Sequence, residues 1–399
     1  MTQTRHPVST REVAWLDQQL PTWVAEGLVT DEAGTAIRAR YVATRTGRLS
    51  RLLLYLGSAF VGVGLIWLVA SNLDELSPLA RFIAVMVLWL GVTAVAEFLA
   101  DRRQHLEVAV ASPVVGALRG LSAIGSGAVV FQAAQSLQVP AYEPGLLAAW
   151  GVGALLYAYA SAGVASLVVG VSATTGWLVW HSVEQVESVA GVVIALVVGS
   201  VIASAVAALH DARWRPAFAE TWRAAGALLL LIGLFVAALP WFRDEGISWN
   251  ATLLVSLALA VVLSGAAMAV GRGSVRVEVA VPLVALPLAA LLTLWQPSVP
   301  DDGLVSGEAL LSAVVSVAVY VAAAGTLAVI GSLRDSRLLV GVATAALVVF
   351  TTVQGFAVFA PIFSGAVLFL FLGAVLLATG YFFDRARRRV AGAFEAESS

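Results

Sequence analysis

From Leu52 to Phe383 the chain is a succession of apolar runs, separated by short segments that carry nearly all of the charge. A helical run of about 20 apolar residues matches the hydrocarbon thickness of a bilayer. The pattern predicts spans over 52–71, 81–100, 114–135, 145–160, 162–180, 189–209, 223–242, 251–271, 277–295, 309–331, 338–357 and 361–383. The fourth and fifth runs join around Tyr159 to Gly163, with no charge between them. The fold class expected is therefore all-α, a polytopic integral membrane protein of about twelve transmembrane helices.

Residues 1–51 are the one sizeable polar stretch. Ser9-Thr10-Arg11-Glu12 reads as a capping box, and Val13, Leu16, Leu20, Trp23 and Val24 follow at helical spacing up to a stop at Gly27. Thr30-Asp31-Glu32 starts a second helix, which carries Ile37 and Tyr41. Arg38, Arg40, Arg45, Arg48 and Arg51 form a basic collar before the first span. The domains expected are a cytoplasmic hairpin and collar over 1–51, a bundle over 52–383 and a cytoplasmic tail over 384–399. No apolar core of a cleaved signal peptide precedes Leu52.

Composition narrows the class further. Hydrophobic residues make up 60% of the 399 and charged residues only 12%, against about 25% charged in soluble domains. The mean hydropathy is +0.91. All 23 basic residues are arginine, which removes lysine Schiff-base and P-loop chemistry, and there is no cysteine. With twelve spans and an inner N-terminus, every arginine except Arg81 and Arg243 falls on the inner side. The outer loops hold Asp74, Glu75, Glu143, Glu184, Glu187, Asp301 and Asp302. That asymmetry predicts a multi-pass plasma (inner) membrane protein with both termini cytoplasmic. Trp67, Trp177, Trp180, Trp241, Trp249 and Trp295 lie near outer span ends, where indoles favour the headgroup level.

A shift of about 171 residues lays the second half on the first, suggesting a 6+6 parallel repeat with halves 52–209 and 223–383. Glu107-Val108-Ala109-Val110 then meets Glu278-Val279-Ala280-Val281, each soon followed by a proline, Pro113 or Pro282. These prolines, with Pro287, mark kinks or broken helices lining a cavity. Gly116 and Gly120 form a GxxxG packing face in the third span, and Gly57, Gly62 and Gly64 line the first.

Polar groups inside spans are expensive, so they nominate sites. Arg119 reads either as a snorkelling cation or as a buried charge for an anionic headgroup or substrate, balanced by Glu107 or Glu97. Glu97 also stands within reach of Arg102 and Arg103. Gln132 and Gln135, three apart near the outer end of the same span, read as substrate-binding groups or interhelical hydrogen-bonders. Asn72 and Asp74 read as a helix cap and turn in the first outer loop. His181 with Glu184 and Glu187 resembles metal ligands only weakly. No catalytic constellation, cofactor or metal is expected, and no nucleic-acid partner. The function expected is a secondary transporter or lipid-linked flippase of a small or amphiphilic substrate. The alternative is a non-catalytic scaffold that docks a cytoplasmic partner through residues 9–45. The one partner expected in either case is the lipid bilayer.

Several segments carry a family likeness. They are Trp15 to Tyr41 with its Glu26-Gly27-Leu28-Val29-Thr30 turn and Asp31-Glu32-Ala33, then Ala70-Ser71-Asn72-Leu73-Asp74, Gln132-Ala133-Ala134-Gln135 and the final Arg387-Arg388-Arg389. In these the chain resembles a bacterial family of predicted multi-span membrane proteins with an N-terminal helical hairpin, catalogued as a domain of unknown function. The family pattern has tryptophan where Leu73 stands, and an aromatic and histidine after Gln135, where this chain has Leu137 and Gln138. The resemblance is most specific over about the first 180 residues, and it implies a plasma-membrane location without an activity.

Overall fold

The computed structural model describes residues 6–8, 10–43, 53–57, 60–62, 64, 77–105, 113–140, 142–185, 188–239, 246–271, 273–295, 307–354, 370 and 373. The polar start forms α1 (Thr10–Ala25) and α2 (Asp31–Arg40), with a short parallel pairing of β1 (His6–Val8) and β2 (Tyr41–Ala43). That three-residue pairing is the one departure from the all-α expectation among the described residues. Ten long helices follow: α3 (Pro78–His105), α4 (Pro113–Ser136), α5 (Pro144–Ser161), α6 (Val164–Gln185), α7 (Val189–Leu209), α8 (Pro216–Ala237), α9 (Ala251–Val270), α10 (Ser274–Leu294), α11 (Gly307–Leu333) and α12 (Arg337–Gln354). Nine of the helices among the described residues are long and apolar enough to cross a membrane; α5, over the expected fourth span, is not one of them. The expected spans at 52–71 and 361–383, the cap at Ser9, the loop at Asn72 and Asp74 and the tail lie wholly or mostly outside the described residues.

Two compact units result, one of residues 1–139 with 156–166 and one of 140–155 with 167–399. The units do not follow the halves of the proposed repeat, since α7 and α8 belong together in the second. In the first unit Val13, Leu16 and Leu20 form the buried stripe of α1. Gly27 ends that helix at a positive φ of 72°, and the Leu28 N–H donates back to Trp23 O at 2.9 Å. Thr30 caps α2 by accepting from the Ala33 N–H at 3.2 Å. Arg38, expected in the collar, instead pairs with Asp17 and fastens the hairpin.

The chargeless run around Tyr159 breaks by backbone geometry. Ala162 takes a left-handed φ of 57°, and the Gly163 N–H donates to Ala158 O at 3.1 Å, so α5 stops and α6 begins two residues later. The same stop uses Gln138 (φ 58°) after α4 and Asp335 (φ 52°) after α11. Alanine, glutamine and aspartate all replace the usual glycine here, so the apolar runs end within two residues of these helix ends with no glycine to mark the stop. Pro113 is the first residue of α4, where a missing N–H leaves no bond unmade, so it starts a helix instead of breaking one. Gly116 faces the Tyr55 ring and Gly120 faces Ala165, so the GxxxG face meets two different neighbours.

In the second unit α7 is apolar on every side and buried along most of its length, as a central helix must be. On it pack α8, α9 and α10. Its approach to α8 is close because Gly226 and Gly233 present no side chain: a Cβ on Gly226 would stand 2.7 Å from Ser204 Oγ and 3.2 Å from Ser204 N. Ser200 Oγ donates to Gly226 O at 2.7 Å across the same interface. A second layer comes from α11 and α12, where Tyr320 stacks on Phe350 with ring centroids 3.6 Å apart. The Tyr320 hydroxyl donates to Ala346 O at 3.1 Å. The helix α10 runs unbroken through Pro282 and Pro287, which leaves the Glu278 and Leu283 carbonyls without an intrahelical donor.

Gly226→Val should overpack the α7–α8 interface and cost about 1–3 kcal/mol, read as a lower Tm of the purified protein. Gly265→Val, on a face of α9 with nothing within 4 Å, should leave Tm unchanged. Equal melting of the two variants would contradict this packing.

Candidate functional site

Helix α3 carries Trp89, Thr93 and Glu97 at successive i+4 positions, hence on one face. Each finds a partner on α4. The Trp89 indole N–H donates to Ser122 O at 3.0 Å, and Thr93 Oγ1 lies 2.6 Å from Ser122 Oγ. Arg119 grips Glu97 with two parallel bonds, Nε to Oε1 at 2.9 Å and Nη2 to Oε2 at 2.7 Å. The Tyr157 hydroxyl also donates to Glu97 Oε1 at 2.7 Å, and Ser166 Oγ donates to Arg119 O at 2.9 Å. The seam ends at Gly125, where a Cβ would press on the Trp89 ring at 3.0 Å.

Of the two carboxylates expected to balance Arg119, Glu97 does so, and Glu107 lies outside the described residues. The guanidinium fork is thus filled by a carboxylate of the same chain. Gln132 is buried and Gln135 is exposed, and Gln132 stands about 20 Å along α4 from Arg119 at 1.5 Å per residue. Arg119, Gln132 and Gln135 therefore do not converge on one spot. His181 Nε2 sits 3.4 Å from Thr252 Oγ1, and Glu184 accepts from the Trp180 indole at 2.6 Å. Glu187 lies outside the described residues, and no group of three metal-ligating side chains occurs among the described ones.

The second unit holds a tighter cluster. After α7 the chain makes a π-helical turn, His210–Trp214, closed by the Arg215 N–H donating to His210 O at 3.2 Å. Such a turn is rare and often marks a functional position. It carries Asp211. Arg223 lies two turns into α8, Glu278 in the first turns of α10, and Arg334 in the turn between α11 and α12. Arg223 Nε donates to Glu278 Oε1, and its Nη2 lies 2.5 Å from Asp211 Oδ2. Arg334 Nη1 lies 2.5 Å from the same Asp211 oxygen, and its Nη2 lies 2.9 Å from Glu278 Oε2. Each arginine so touches each acid in a closed ring of zero net charge. Glu278 is 3% exposed and Arg223 7%, against 18–19% for Arg334 and Asp211.

The ring is uneven. The Arg334–Glu278 contact is within ion-pair distance, yet Arg334 Nη2 and Nε and Glu278 Oε2 have no aligned hydrogen bond. The Arg223 side is hydrogen-bonded to both acids. Beside the ring, Ser336 caps α12 by accepting from the Leu339 N–H at 3.2 Å, while its hydroxyl donates to Glu220 on α8 at 3.1 Å.

Residues 21–165 match the family model described as "Predicted membrane protein (DUF2157)". The match supports the resemblance seen in the sequence, and with the apolar helices it makes the chain membrane-embedded, in a lipid bilayer. No curated protein and no solved structure matches the chain. The DUF2157 segment contains Glu97, Arg119 and Tyr157, whereas the four-charge ring lies wholly beyond it.

Sequence reasoning missed Trp89, Thr93, Asp211 and Glu278 as site residues, and it assigned Arg223 and Arg334 to sidedness alone. The i+4 ladder on α3 was a usable signal. So was Glu278, an acid within an expected span, which entered only through the repeated Glu-Val-Ala-Val. Asp211 gave none, because its orientation depends on the π-turn.

Glu97→Gln, Arg119→Gln and the double variant form a cycle whose coupling should be about 0.5–3 kcal/mol, measured as stability in one lipid and detergent condition. Additive losses would mean that the pair seen here does not form.

Proposed function

We propose that the chain is a secondary transporter, not an enzyme, acting on a small or amphiphilic substrate, a lipid-linked flippase included. The reading places it in the plasma (inner) membrane with about twelve spans and both termini cytoplasmic. The observation that carries it is the four-charge ring of Asp211, Arg223, Glu278 and Arg334. Ionisable groups in or beside spans are costly, and they recur where helices must part and rejoin along a pathway. Here the ring joins α8 and α10 to two connecting turns at one end of the second unit. Because each arginine reaches both acids, Arg334 can leave while Arg223 still neutralises the pocket in part. The weaker bonding of Arg334 makes its turn the side that moves. In this reading the ring is the latch on the cytoplasmic end of the pathway.

Docking of a cytoplasmic partner through residues 9–45 is the competing reading, and it is favoured by the exposure of Trp15 and Leu28 on the hairpin. Under it the ring is a fixed clamp.

One labelling experiment separates them, helped by the absence of native cysteine. Ser204→Cys places a thiol at a buried position of α7, two turns before the ring. In proteoliposomes, an impermeant maleimide added on the ring side should label this thiol slowly. Glu278→Gln with Arg334→Gln, which keeps the net charge at zero, should speed labelling about tenfold or more, the equivalent of one broken charge-assisted bond. Labelling no faster in that variant would overturn the transport reading and leave the clamp.

A further inference from the structure

The second unit contains a cavity of about 660 Å³ that the ring does not use. Its walls come from Thr174, Thr175, Trp177, Leu178 and His181 on α6 and from Thr252, Val255, Ser256 and Leu259 on α9. Gly199, Ile202 and Ala203 of α7 and Trp222 and Leu229 of α8 form its floor. The spacing explains the shape. On α9 the lining positions 252, 255, 256 and 259 make one helical face, and on α6 the positions 174, 177, 178 and 181 do the same. On α7 the Leu178 side chain already covers Gly199, and the short side chain of Ala203 leaves space between those faces unfilled. Val255 and Leu259 are themselves largely exposed, so the cavity opens past α9 toward whatever surrounds the helices. In a membrane that surrounding is acyl chain.

Three features select the occupant. No lining residue is Asp, Glu or Arg, so a charged head would find no permanent counter-ion inside, and only a cationic His181 could pair with an anionic one. Among the polar lining groups, His181 and Thr252 meet at one end, where α6 ends and α9 begins. At 3.4 Å the hydrogen bond between His181 Nε2 and Thr252 Oγ1 is long, so a hydroxyl set beside the pair can bond to both. The Thr174 hydroxyl, deeper, already donates to Gly170 O at 2.8 Å. Size comes third. At about 30 Å³ for each packed heavy atom, the space a water takes, the cavity holds about 20 such atoms. That suits one long alkyl chain with a small head, whereas a diacyl phospholipid would have to leave its second chain outside, along the exposed side of α9.

We propose that this cavity binds a single-chain amphiphile with an uncharged, hydrogen-bonding head, the head at His181 and Thr252 and the chain running toward Trp222. The inference rests on the transport reading for its purpose, since it names the substrate class, but the binding itself does not need the latch.

The test uses the full chain in phosphatidylcholine nanodiscs and a hexadecanol carrying a mid-chain diazirine. After irradiation, adducts should concentrate on 174–181 and 252–259 and be competed by plain hexadecanol. The matching fatty acid should compete worse. Thr252→Val should weaken competition about fivefold, the worth of one neutral hydrogen bond. Ser256→Trp, which puts an indole into the space, should abolish these adducts without lowering Tm. Ala203→Leu, a smaller filling, should do the same in part if the indole variant fails to fold. Adducts spread evenly over the exposed α9 residues Leu254, Val261 and Val262, or adducts indifferent to both fillings, would overturn the proposal. Equal competition by the acid would overturn the choice of an uncharged head. Cavity adducts alongside a latch that never opens would sink transport and leave the site. A latch that opens without cavity adducts would sink the site alone.

Discussion

A charge or hydrogen-bonding group that enters a bilayer finds no water, so it must find another group of the same protein. This constraint organises the chain more than any single apolar contact does. In the first unit it gathers the polar side chains of α3 into one file, each partner supplied by α4 or by Tyr157. In the second it draws two acids and two arginines from four separate elements into one neutral ring. Removing one member of a buried pair strands the other, typically at about 3–5 kcal/mol, whereas removing both is far milder. Such groups therefore act as sets.

Small residues make the sets reachable. The α7–α8 crossing is close because Gly226 and Gly233 yield their space, and it brings the π-turn with Asp211 back over Arg223. The turn at Arg334 is held differently, by the Asp335 backbone stop, the Ser336 cap and a single hydroxyl donated to Glu220. Under the transport reading, the Arg334 side of the ring, with fewer aligned hydrogen bonds, is the side that parts. At the cavity between α6 and α9, Gly199 of α7 admits the Leu178 side chain, and Ala203 leaves room that a larger residue would fill.

Much of the architecture is legible in the sequence because lipid imposes a length and an apolar composition on each span. The hairpin is legible for a similar reason: Gly27 and Thr30 have local chemistry that fixes a stop and a start. Less visible is the backbone that makes the stops, since left-handed residues other than glycine carry the turn at Ala162, Gln138 and Asp335. The candidate site was legible one charge at a time and not as a constellation. Arg119 was singled out, yet its fork is occupied by Glu97. Arg223 and Arg334 looked like markers of sidedness because only Asp211 and Arg223 lie near each other in the chain, 12 positions apart, while Arg223 to Glu278 spans 55 positions and Asp211 to Arg334 spans 123. Proximity of that kind is a property of packing, and no window along the sequence contains it.

The central claim is that the buried charges hold each other, and it is tested most directly by exchanging the two most deeply buried ones. Arg223→Glu alone and Glu278→Arg alone should each abolish a folded, monodisperse protein, since each puts three like charges into one ring. The double exchange restores zero net charge and keeps opposite charges in contact at 223–278 and at Asp211–Arg334. It also sets like charges together at 211–223 and at 278–334, so it should recover folding at a Tm below that of the parent. Single exchanges that fold as well as the parent, or a double exchange no better than either single one, would contradict the account.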